Sequence, residues 1–223
     1  MLTEDGVPSP LVPTISEADV FALGRGEAVV IDDVMPPAAA ARHHAAIGLL
    51  HEQGALNPAL VGRKRRYQPE LRGDWTCWLE AAEDAPTLQG LWLWWDLLRE
   101  EIRQAARLPL ARFSVQLAHY PTGSQYVRHR DAIPGDPNRR LTAVLYLNAD
   151  WQPAHGGQLR VWEPGGCRDI APVAGRLVLF LSTALYHAVL PTTAPRAAVT
   201  AWFRGAEPIP LLPDRPLSAP GRG

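Results

Sequence analysis

The chain has 223 residues and a formal net charge of −1, with 22 basic and 23 acidic side chains. This balance excludes a strong overall field for nucleic acid or an anionic membrane, and the length suffices for one sizeable core. Two cysteines are too few for a disulfide scaffold, no charged-then-apolar leader opens the sequence, and no apolar run approaches a membrane span. We therefore expect one domain in the cytoplasm. The single lysine, Lys64, together with many Ala and Pro residues, favours a GC-rich bacterial genome.

The N-terminal half predicts one short strand and two helices. Residues 1–13 carry three prolines and little apolar periodicity, so we expect a flexible segment. Residues 26–33 are a short apolar strand, and Pro36-Pro37 begins a helix that ends near Gly54. Its histidines lack other ligands at metal-binding spacing and are interpreted as surface residues: His43, His44 and His51. A second helix spans 86–106, with a buried face predicted to contain Leu88, Leu91, Trp92, Trp95, Leu98 and Ile102.

From residue 112 onward the pattern changes to short strands separated by Gly, Pro and Asp clusters. The strand-like segments are 112–120, 125–131, 141–148, 158–163, 175–181 and 196–204. Six strands after two helices predict an α+β fold: an antiparallel double-stranded β-helix, or jelly roll, with helices packed on one sheet. The domain is expected over residues 14–205. Residues 206–223 are rich in proline and are expected to form a tail.

The segment around His129 and Asp131 is the strongest candidate for a site. Two residues apart in an extended segment, their side chains lie on the same face. His187 follows the apolar run 175–181 and so lies just past a buried strand. Two imidazoles and a carboxylate leave three positions of a hexacoordinate metal free, as in non-haem Fe(II) oxygenases. Zinc is the rival metal, although the helical His-Glu-x-x-His arrangement is absent from the sequence.

Arg196 opens the last predicted strand. By strand parity Ala198, Thr200 and Trp202 share its face, so a guanidinium, a hydroxyl and an indole can line one pocket. The planar fork of arginine suits bidentate binding of a carboxylate. The sequence therefore predicts a metal site beside an anion-binding group.

In the order His129-x-Asp131, His187, Arg196, the sequence resembles the iron and 2-oxoglutarate dependent dioxygenases. The surrounding segments resemble the prolyl 4-hydroxylase branch, closest to the hypoxia-factor prolyl hydroxylases and their bacterial relatives. The matching segments are Tyr120-Pro with Gly123 and Tyr126-Val-Arg-His129, Leu145-Tyr-Leu-Asn148 with Trp151, Gly156-Gly-Gln-Leu-Arg160, Arg176-Leu-Val-Leu-Phe180, and Arg196 to Trp202. Upstream, Leu71-Arg-Gly-Asp-Trp-Thr-Cys-Trp78 resembles the mobile loop that closes over substrate in that group. The resemblance covers roughly residues 45–205.

The resemblance implies that His129, Asp131 and His187 hold Fe(II). It implies 2-oxoglutarate and O2 as cosubstrates that yield succinate and CO2, and it admits ascorbate as a further cofactor. Arg196 and Tyr146 are expected to hold the distal carboxylate of 2-oxoglutarate, with Thr200 nearby. Tyr120 is expected at the end of the cosubstrate that chelates iron, with Trp202 packed beside the cosubstrate. An extended peptide is expected in a groove formed by Arg72, Asp74, Trp78 and Arg139.

The function implied is prolyl 4-hydroxylation of an intracellular protein, with free proline or another small molecule as an alternative substrate. A nucleic-acid demethylase is a second alternative, since the basic run 63–66 could contact phosphates. Such demethylases resemble one another in having Asn and Arg at the positions that Ala198 and Trp202 occupy here. This difference disfavours nucleic acid as the substrate. A third alternative is a non-catalytic metal-binding jelly-roll module, against which Arg196 and Tyr146 argue.

Overall fold

The computed structural model describes residues 11–62, 64–79, 86–131 and 138–206. Within these ranges the chain forms three α-helices and eleven β-strands, numbered here in chain order. No helix in the described ranges is long and apolar enough to cross a membrane. Most of the predicted terminal segments, 1–13 and 206–223, lies outside the described residues, so the domain bounds stay a prediction.

Three helices pack on one side of the fold: α1 (Glu17–Gly24), α2 (Pro37–Glu52) and α3 (Pro86–Ala106). Apolar spacing does not predict α1. It begins at a capping box, in which Ser16 Oγ accepts from the Asp19 backbone N–H and the Asp19 carboxylate accepts from the Ser16 backbone N–H. Helix α2 begins after Pro36, as predicted, because proline has no N–H to lose in a first helical turn.

The strands form two antiparallel sheets. The large sheet has seven strands, in the spatial order β1 (Val29–Ile31), β9 (Leu177–Leu181), β6 (Arg139–Tyr146), β11 (Arg196–Arg204), β4 (Arg112–Tyr120), β3 (Trp75–Trp78) and β2 (Asn57–Pro58). The small sheet has four, in the order β5 (Tyr126–His129), β10 (Tyr186–Val189), β7 (Leu159–Glu163) and β8 (Gly166–Ile170).

Alternation of side chains along β6 and β11 divides the core into two layers. Leu141, Leu145 and Val199 belong to the cluster that packs with the helices, whereas Tyr146 and Ala198 belong to the cluster between the sheets. Two antiparallel sheets with helices covering the large one confirm the predicted jelly roll. The layer between the sheets is where the predicted site residues converge.

Four of the eleven strands are missing from the sequence-based prediction: β2, β3, β8 and β10. They have two to five residues each, and β8 is mostly exposed, so none shows a sustained apolar alternation. His187 therefore lies inside a strand, β10, and not merely after one. Short strands of this kind are stabilised by their neighbours and carry little signal of their own.

The predicted bounds of α3 are confirmed, but the prediction that Trp92 lies on its buried face is wrong. Trp92 is 38% exposed, while Trp94 is 3% exposed. The chain before α1 covers the Trp94 side of the helix, where the indole N–H donates to the Leu11 carbonyl at 3.1 Å. Trp92 instead leans on Phe113, with ring centres 4.7 Å apart. Coverage by a segment distant in sequence decides which of the two rings is buried.

The interpretation of His43 as a surface histidine is also wrong. Its side chain is buried, because this side of α2 packs on the large sheet. Burial lowers the pKa of His43 from its ordinary value of 6.5 to about 4, with a smaller contribution from Arg42 in the same direction. On the same side of the sheet, His51 stacks on His119 with ring centres 4.6 Å apart. These histidines form part of the helix–sheet packing.

Candidate active site

Three candidate metal ligands converge at the end of the small sheet. His129 ends β5, Asp131 follows it, and His187 in β10 pairs directly with His129. Asp131 Oδ1 lies 3.6 Å from His129 Nε2 and 3.7 Å from His187 Nε2. One donor atom from each residue lies within 4.8 Å of the other two. The structure thus brings the predicted ligands together at separations that suit a single metal ion.

Hydrogen bonds orient both imidazoles toward this point. His129 Nδ1 lies 2.8 Å from the Val127 carbonyl, and His187 Nδ1 lies 3.4 Å from the Leu185 carbonyl. A carbonyl only accepts, so each ring carries a hydrogen on Nδ1, and Nε2 of each ring faces Asp131. Burial lowers the pKa of His187 to about 4, although the Asp131 charge opposes this. At neutral pH the His187 ring is therefore a neutral ligand.

The two carboxylate oxygens of Asp131 face different partners. Oδ1 faces the histidines, whereas Oδ2 accepts from Trp202 Nε1 at 2.9 Å and from Thr142 Oγ1 at 2.9 Å. Burial by itself raises the pKa of Asp131, but the imidazoles of His187 and His129 and the indole of Trp202 outweigh it and keep the pKa below its usual range. The carboxylate is therefore ionised, and hydrogen bonds to Oδ2 fix its orientation.

Arg196 is buried beside this cluster, with 3% exposure. Its Nε donates to the Gly157 carbonyl at 2.9 Å, and its guanidinium carbon lies 4.7 Å from the Tyr120 ring centre. Within the described ranges no carboxylate forms an ion pair with it. A buried charge without a counter-ion is costly, so this guanidinium suits an anionic ligand.

Gly157 makes room for this arrangement. The residue has φ +69°, and a Cβ at this position would stand 2.9 Å from Arg196 Cδ. Any other residue here would push the arginine stem and strain the backbone. The predicted Gly156-Gly157 match therefore has a local physical reason, which is close approach to the side chain that offers the anion site.

Two tyrosines border the guanidinium. The Tyr146 ring centre lies 5.1 Å from it, and the Tyr146 hydroxyl is buried and has no hydrogen-bond partner among the described residues. Burial raises the pKa of Tyr146, and the charge and N–H groups of the nearby Arg196 only partly offset this. Burial likewise raises the pKa of Tyr120. Both hydroxyls are therefore protonated at neutral pH and can donate to a carboxylate.

The three candidate ligands, Arg196 and the two tyrosines line one cavity of about 480 Å³ between the sheets. Strand parity holds on β11, where alternate residues face this cavity. The predicted site residues that line it are Arg72, Asp74, Trp78, Tyr120, His129, Asp131, Arg139, Tyr146, His187, Arg196, Thr200 and Trp202. A cavity that contains three candidate metal ligands and a guanidinium without a carboxylate partner can bind a metal ion and a carboxylate ligand at the same time.

The predicted substrate residues lie at the same cavity but contact other site residues. Arg72 Nε and Nη2 donate to the two oxygens of Asp74 at 2.8 and 2.9 Å, in a pair whose carboxylate is almost fully buried. Burial lowers the pKa of Arg72, but the Asp74 hydrogen bond and charge outweigh it and raise the net value. Trp78 is 41% exposed and meets the Trp202 ring edge-on, with centres 5.8 Å apart. Arg139 also contacts this indole, with its guanidinium 4.3 Å from the Trp202 ring centre.

Backbone hydrogen bonds fasten the segment that contains Arg72 to β5 and to Gln125, the residue just before it. Gly73 N–H donates to the Gln125 carbonyl at 2.9 Å, and Val127 N–H donates to the Leu71 carbonyl at 2.8 Å. Farther up the segment, Val61 and Arg66 exchange backbone hydrogen bonds. Arg63 lies outside the described residues, while Lys64, Arg65 and Arg66 are exposed. The part of the segment next to the cavity is thus tied to the strand that carries His129.

Several residues of the site are missing from the sequence-based prediction. Thr142 shares the inward face of β6 with Tyr146, so parity could have found it. Tyr126 stacks on His129 with ring centres 3.5 Å apart, but only the bulged pairing of β5 reveals this contact. Ser182, which lies 2.8 Å from Thr142 Oγ1, carries no sequence signal at all.

Comparison with known proteins matches this geometry. The family model of the 2OG-Fe(II) oxygenase superfamily matches residues 115–204, which span β4 to β11. Egl nine homolog 1 of Mus musculus is 31% identical over 209 residues, covering 90% of this chain and 52% of that protein. Prolyl hydroxylase EGLN3 of Mus musculus is 32% identical over 170 residues, covering 71% of this chain and 70% of that protein. The chain spans about half the length of the Egl nine relative.

A solved structure agrees with both. The crystal structure of a Pseudomonas putida prolyl-4-hydroxylase superimposes with a TM-score of 0.75 at 36% identity. The match covers 84% of this chain and 97% of the other.

Proposed function

Since this chain belongs to the 2OG-Fe(II) oxygenase superfamily, and within it to the prolyl hydroxylases, we propose that it hydroxylates C4 of a proline in an intracellular protein. The proposed reaction uses Fe(II) and converts 2-oxoglutarate and O2 to succinate and CO2. The observation that carries the proposal is the buried guanidinium of Arg196. It lines the same cavity as the three candidate metal ligands and has no carboxylate partner among the described residues. A module that only bound metal would gain nothing from burying that charge.

The proposed metal ligands are His129, Asp131 and His187, whose donor set fits Fe(II) because it combines neutral imidazoles with a carboxylate. Bound iron supplies the oxygen chemistry that couples oxidative decarboxylation of 2-oxoglutarate to hydroxylation of substrate. The chain itself supplies placement of the reactants and, around the buried His187 and Arg196, exclusion of water.

The proposed cosubstrate residues divide by the two ends of 2-oxoglutarate. Arg196 and Tyr146 bind its distal carboxylate, because one offers a charged fork and the other an unpartnered hydroxyl. Tyr120 donates to the end that chelates iron, and Thr200 lines the space between. Trp202 borders this space and donates its indole N–H to Asp131.

The proposed substrate is an extended peptide with its proline beside the three proposed metal ligands. Trp78 and Arg139 offer an exposed aromatic surface and a guanidinium at the opening, both in contact with Trp202. Because Arg72 and Asp74 pair with each other, we propose that they shape the groove and do not hydrogen-bond directly to the peptide. The relatives named prolyl hydroxylases support proline as the target residue.

Further parts of the proposal concern the surroundings of the enzyme. We propose a cytoplasmic, bacterial protein with a single dioxygenase domain over residues 14–205, and ascorbate as an agent that maintains its activity. The low number of cysteines, Cys77 and Cys167, supports a reducing compartment. The net charge of −1 does not support nucleic acid as the substrate.

The first experiment adds Fe(II) and 2-oxoglutarate to the protein without oxygen and follows the visible charge-transfer band. The Arg196→Ala variant is measured alongside, with Arg103→Ala as the control because Arg103 is an exposed residue of α3 paired with Glu100. We expect the band in the parent and control and a much weaker band in Arg196→Ala. Proline-containing peptides are then assayed for the gain of one oxygen atom by mass. Metal binding without any band overturns the oxygenase proposal in favour of a metal-binding module.

If the band forms but no peptide gains oxygen, the prolyl proposal fails while the cosubstrate proposal stands. Turnover of free proline, or of a methylated oligonucleotide, by the same preparation would replace the peptide as substrate. The three substrates are assayed with and without ascorbate, so that loss of activity by oxidation of iron is distinguished from a wrong substrate.

A further inference from the structure

The hydrogen bonds behind Asp131 form a directional chain across the large sheet. Trp202 in β11 and Thr142 in β6 are directly opposite each other in register, and both donate to Asp131 Oδ2 at 2.9 Å. Ser182, immediately after β9, lies 2.8 Å from Thr142 Oγ1. Thr142 and Ser182 are fully buried. The carboxylate is thus held by the large sheet, whereas the histidines belong to the small sheet.

Proton counting fixes the direction of this chain. The threonine hydroxyl has a single hydrogen, and the ionised Asp131 carboxylate can only accept, so Thr142 donates to Oδ2. The contact between Thr142 and Ser182 then requires Ser182 to donate to Thr142 Oγ1. An oxygen that already accepts from an indole and a hydroxyl is a poor further ligand, because its lone pairs are engaged.

We propose that Trp202, Thr142 and Ser182 are positioning residues that reserve Asp131 Oδ2, so that the carboxylate offers the metal Oδ1 alone. The functional role of this arrangement rests on the proposed function, because a carboxylate bound through one oxygen leaves more coordination positions of the metal free for cosubstrates. Its physical basis is independent of turnover. Two donors fixed on a β-sheet hold the carboxylate plane, whereas a free carboxylate can rotate and present both oxygens.

The test measures metal binding without oxygen, 2-oxoglutarate or peptide, using Co(II) as a spectroscopic probe and Fe(II) for affinity. The variants are Trp202→Phe, Thr142→Val and Ser182→Ala, each of which removes one donor from the chain. Thr142→Ser keeps the hydroxyl and is the matched control for Thr142→Val. Trp92→Phe, on the exposed side of α3, is the control for losing an indole N–H. Thermal melting of each metal-free variant establishes that it is folded.

We expect Trp202→Phe and Thr142→Val each to weaken Fe(II) binding about 10-fold, which is the lower end of the usual effect of residues that orient a metal ligand. Ser182→Ala should weaken binding less, because it acts through Thr142. The Co(II) absorption of Trp202→Phe and Thr142→Val should change in shape as the second carboxylate oxygen binds, whereas Thr142→Ser and Trp92→Phe should match the parent.

Affinity within about twofold of the parent and an unchanged Co(II) spectrum in both Trp202→Phe and Thr142→Val would overturn the inference. Equal losses in Thr142→Val and Thr142→Ser would also overturn it, since packing and not the hydroxyl would then be responsible. Failure of the proposed function is separable. A protein whose metal affinity depends on these donors but that oxidises no prolyl peptide keeps this inference and loses the other.

Discussion

Replacing Tyr146 by phenylalanine should have opposite effects on stability and on cosubstrate binding. The Tyr146 side chain is fully buried on the inward face of β6, and its hydroxyl has no hydrogen-bond partner among the described residues. If the hydroxyl is present only for packing reasons, its removal can only cost contacts. If it is present to bind a carboxylate, the unliganded protein bears a desolvation penalty that phenylalanine relieves.

The structure sets the size of both effects. A buried hydroxyl without a partner costs about 1–3 kcal/mol, so we expect Tyr146→Phe to raise the free energy of unfolding of the metal-free protein by about 1 kcal/mol. A hydrogen bond to a charged group contributes about 1.5–3 kcal/mol, which corresponds to a rise of about 10- to 150-fold in the KM for 2-oxoglutarate. The Arg196 guanidinium still attracts the carboxylate, so binding should be weakened and not abolished.

Urea unfolding of the metal-free protein and the KM for 2-oxoglutarate are measured on the same preparations. Tyr186→Phe is the matched control, because Tyr186 is 38% exposed on the small sheet and does not line the cavity. We expect the control to change neither quantity. A less stable Tyr146→Phe protein with an unchanged KM would refute the reasoning, since it would make Tyr146 a packing residue.

Three further results are expected. Asp74→Ala leaves the Arg72 guanidinium without its buried counter-ion and should lower the free energy of unfolding by about 3 kcal/mol. Urea unfolding measures this change. The control is Glu27→Ala in an exposed ion pair, which should leave the urea midpoint nearly unchanged. The folded-state pKa of His43 is about 4, below its ordinary value, so its contribution is present above about pH 6.5 and is lost as the pH falls toward 4. His43→Gln should therefore remove about 2 kcal/mol of the stability loss between pH 7 and pH 5; an identical pH dependence in parent and variant would contradict this. Deleting residues 63–70 should weaken turnover of a prolyl peptide while sparing peptide-independent decarboxylation of 2-oxoglutarate, and equal loss of both would count against a substrate role for the segment.

The pattern of apolar residues predicts much of this fold because strands and helices bury one face at a fixed spacing. The period of two along β11 correctly assigns Arg196, Thr200 and Trp202 to one face. The spacing of His129 and Asp131 likewise indicates converging side chains, which the pairing of β5 with β10 brings beside His187. These are properties of short segments, and each segment carries them in its own sequence.

Residues whose environment depends on distant segments could not be predicted in this way. Trp94 is buried because the chain near Leu11 covers it, 83 positions away. The buried state of His43 depends on how α2 is placed on the large sheet. Arg72 and Asp74 line the cavity and pair with each other, and the near-complete burial of the Asp74 carboxylate depends on the segments around it.

The sequence by itself therefore determined the fold class, the ligand types and the face that each strand turns inward, because all three follow from local residue chemistry and backbone periodicity. Only the tertiary structure decided how the site is supported. It aligned Trp202 and Thr142 across two strands and aimed both at one oxygen of Asp131, 71 and 11 positions away. It also buried Arg196 without a carboxylate partner and the Tyr146 hydroxyl without a hydrogen-bond partner among the described residues, because burial is a property of all the segments that surround a residue and not of the residue's own segment.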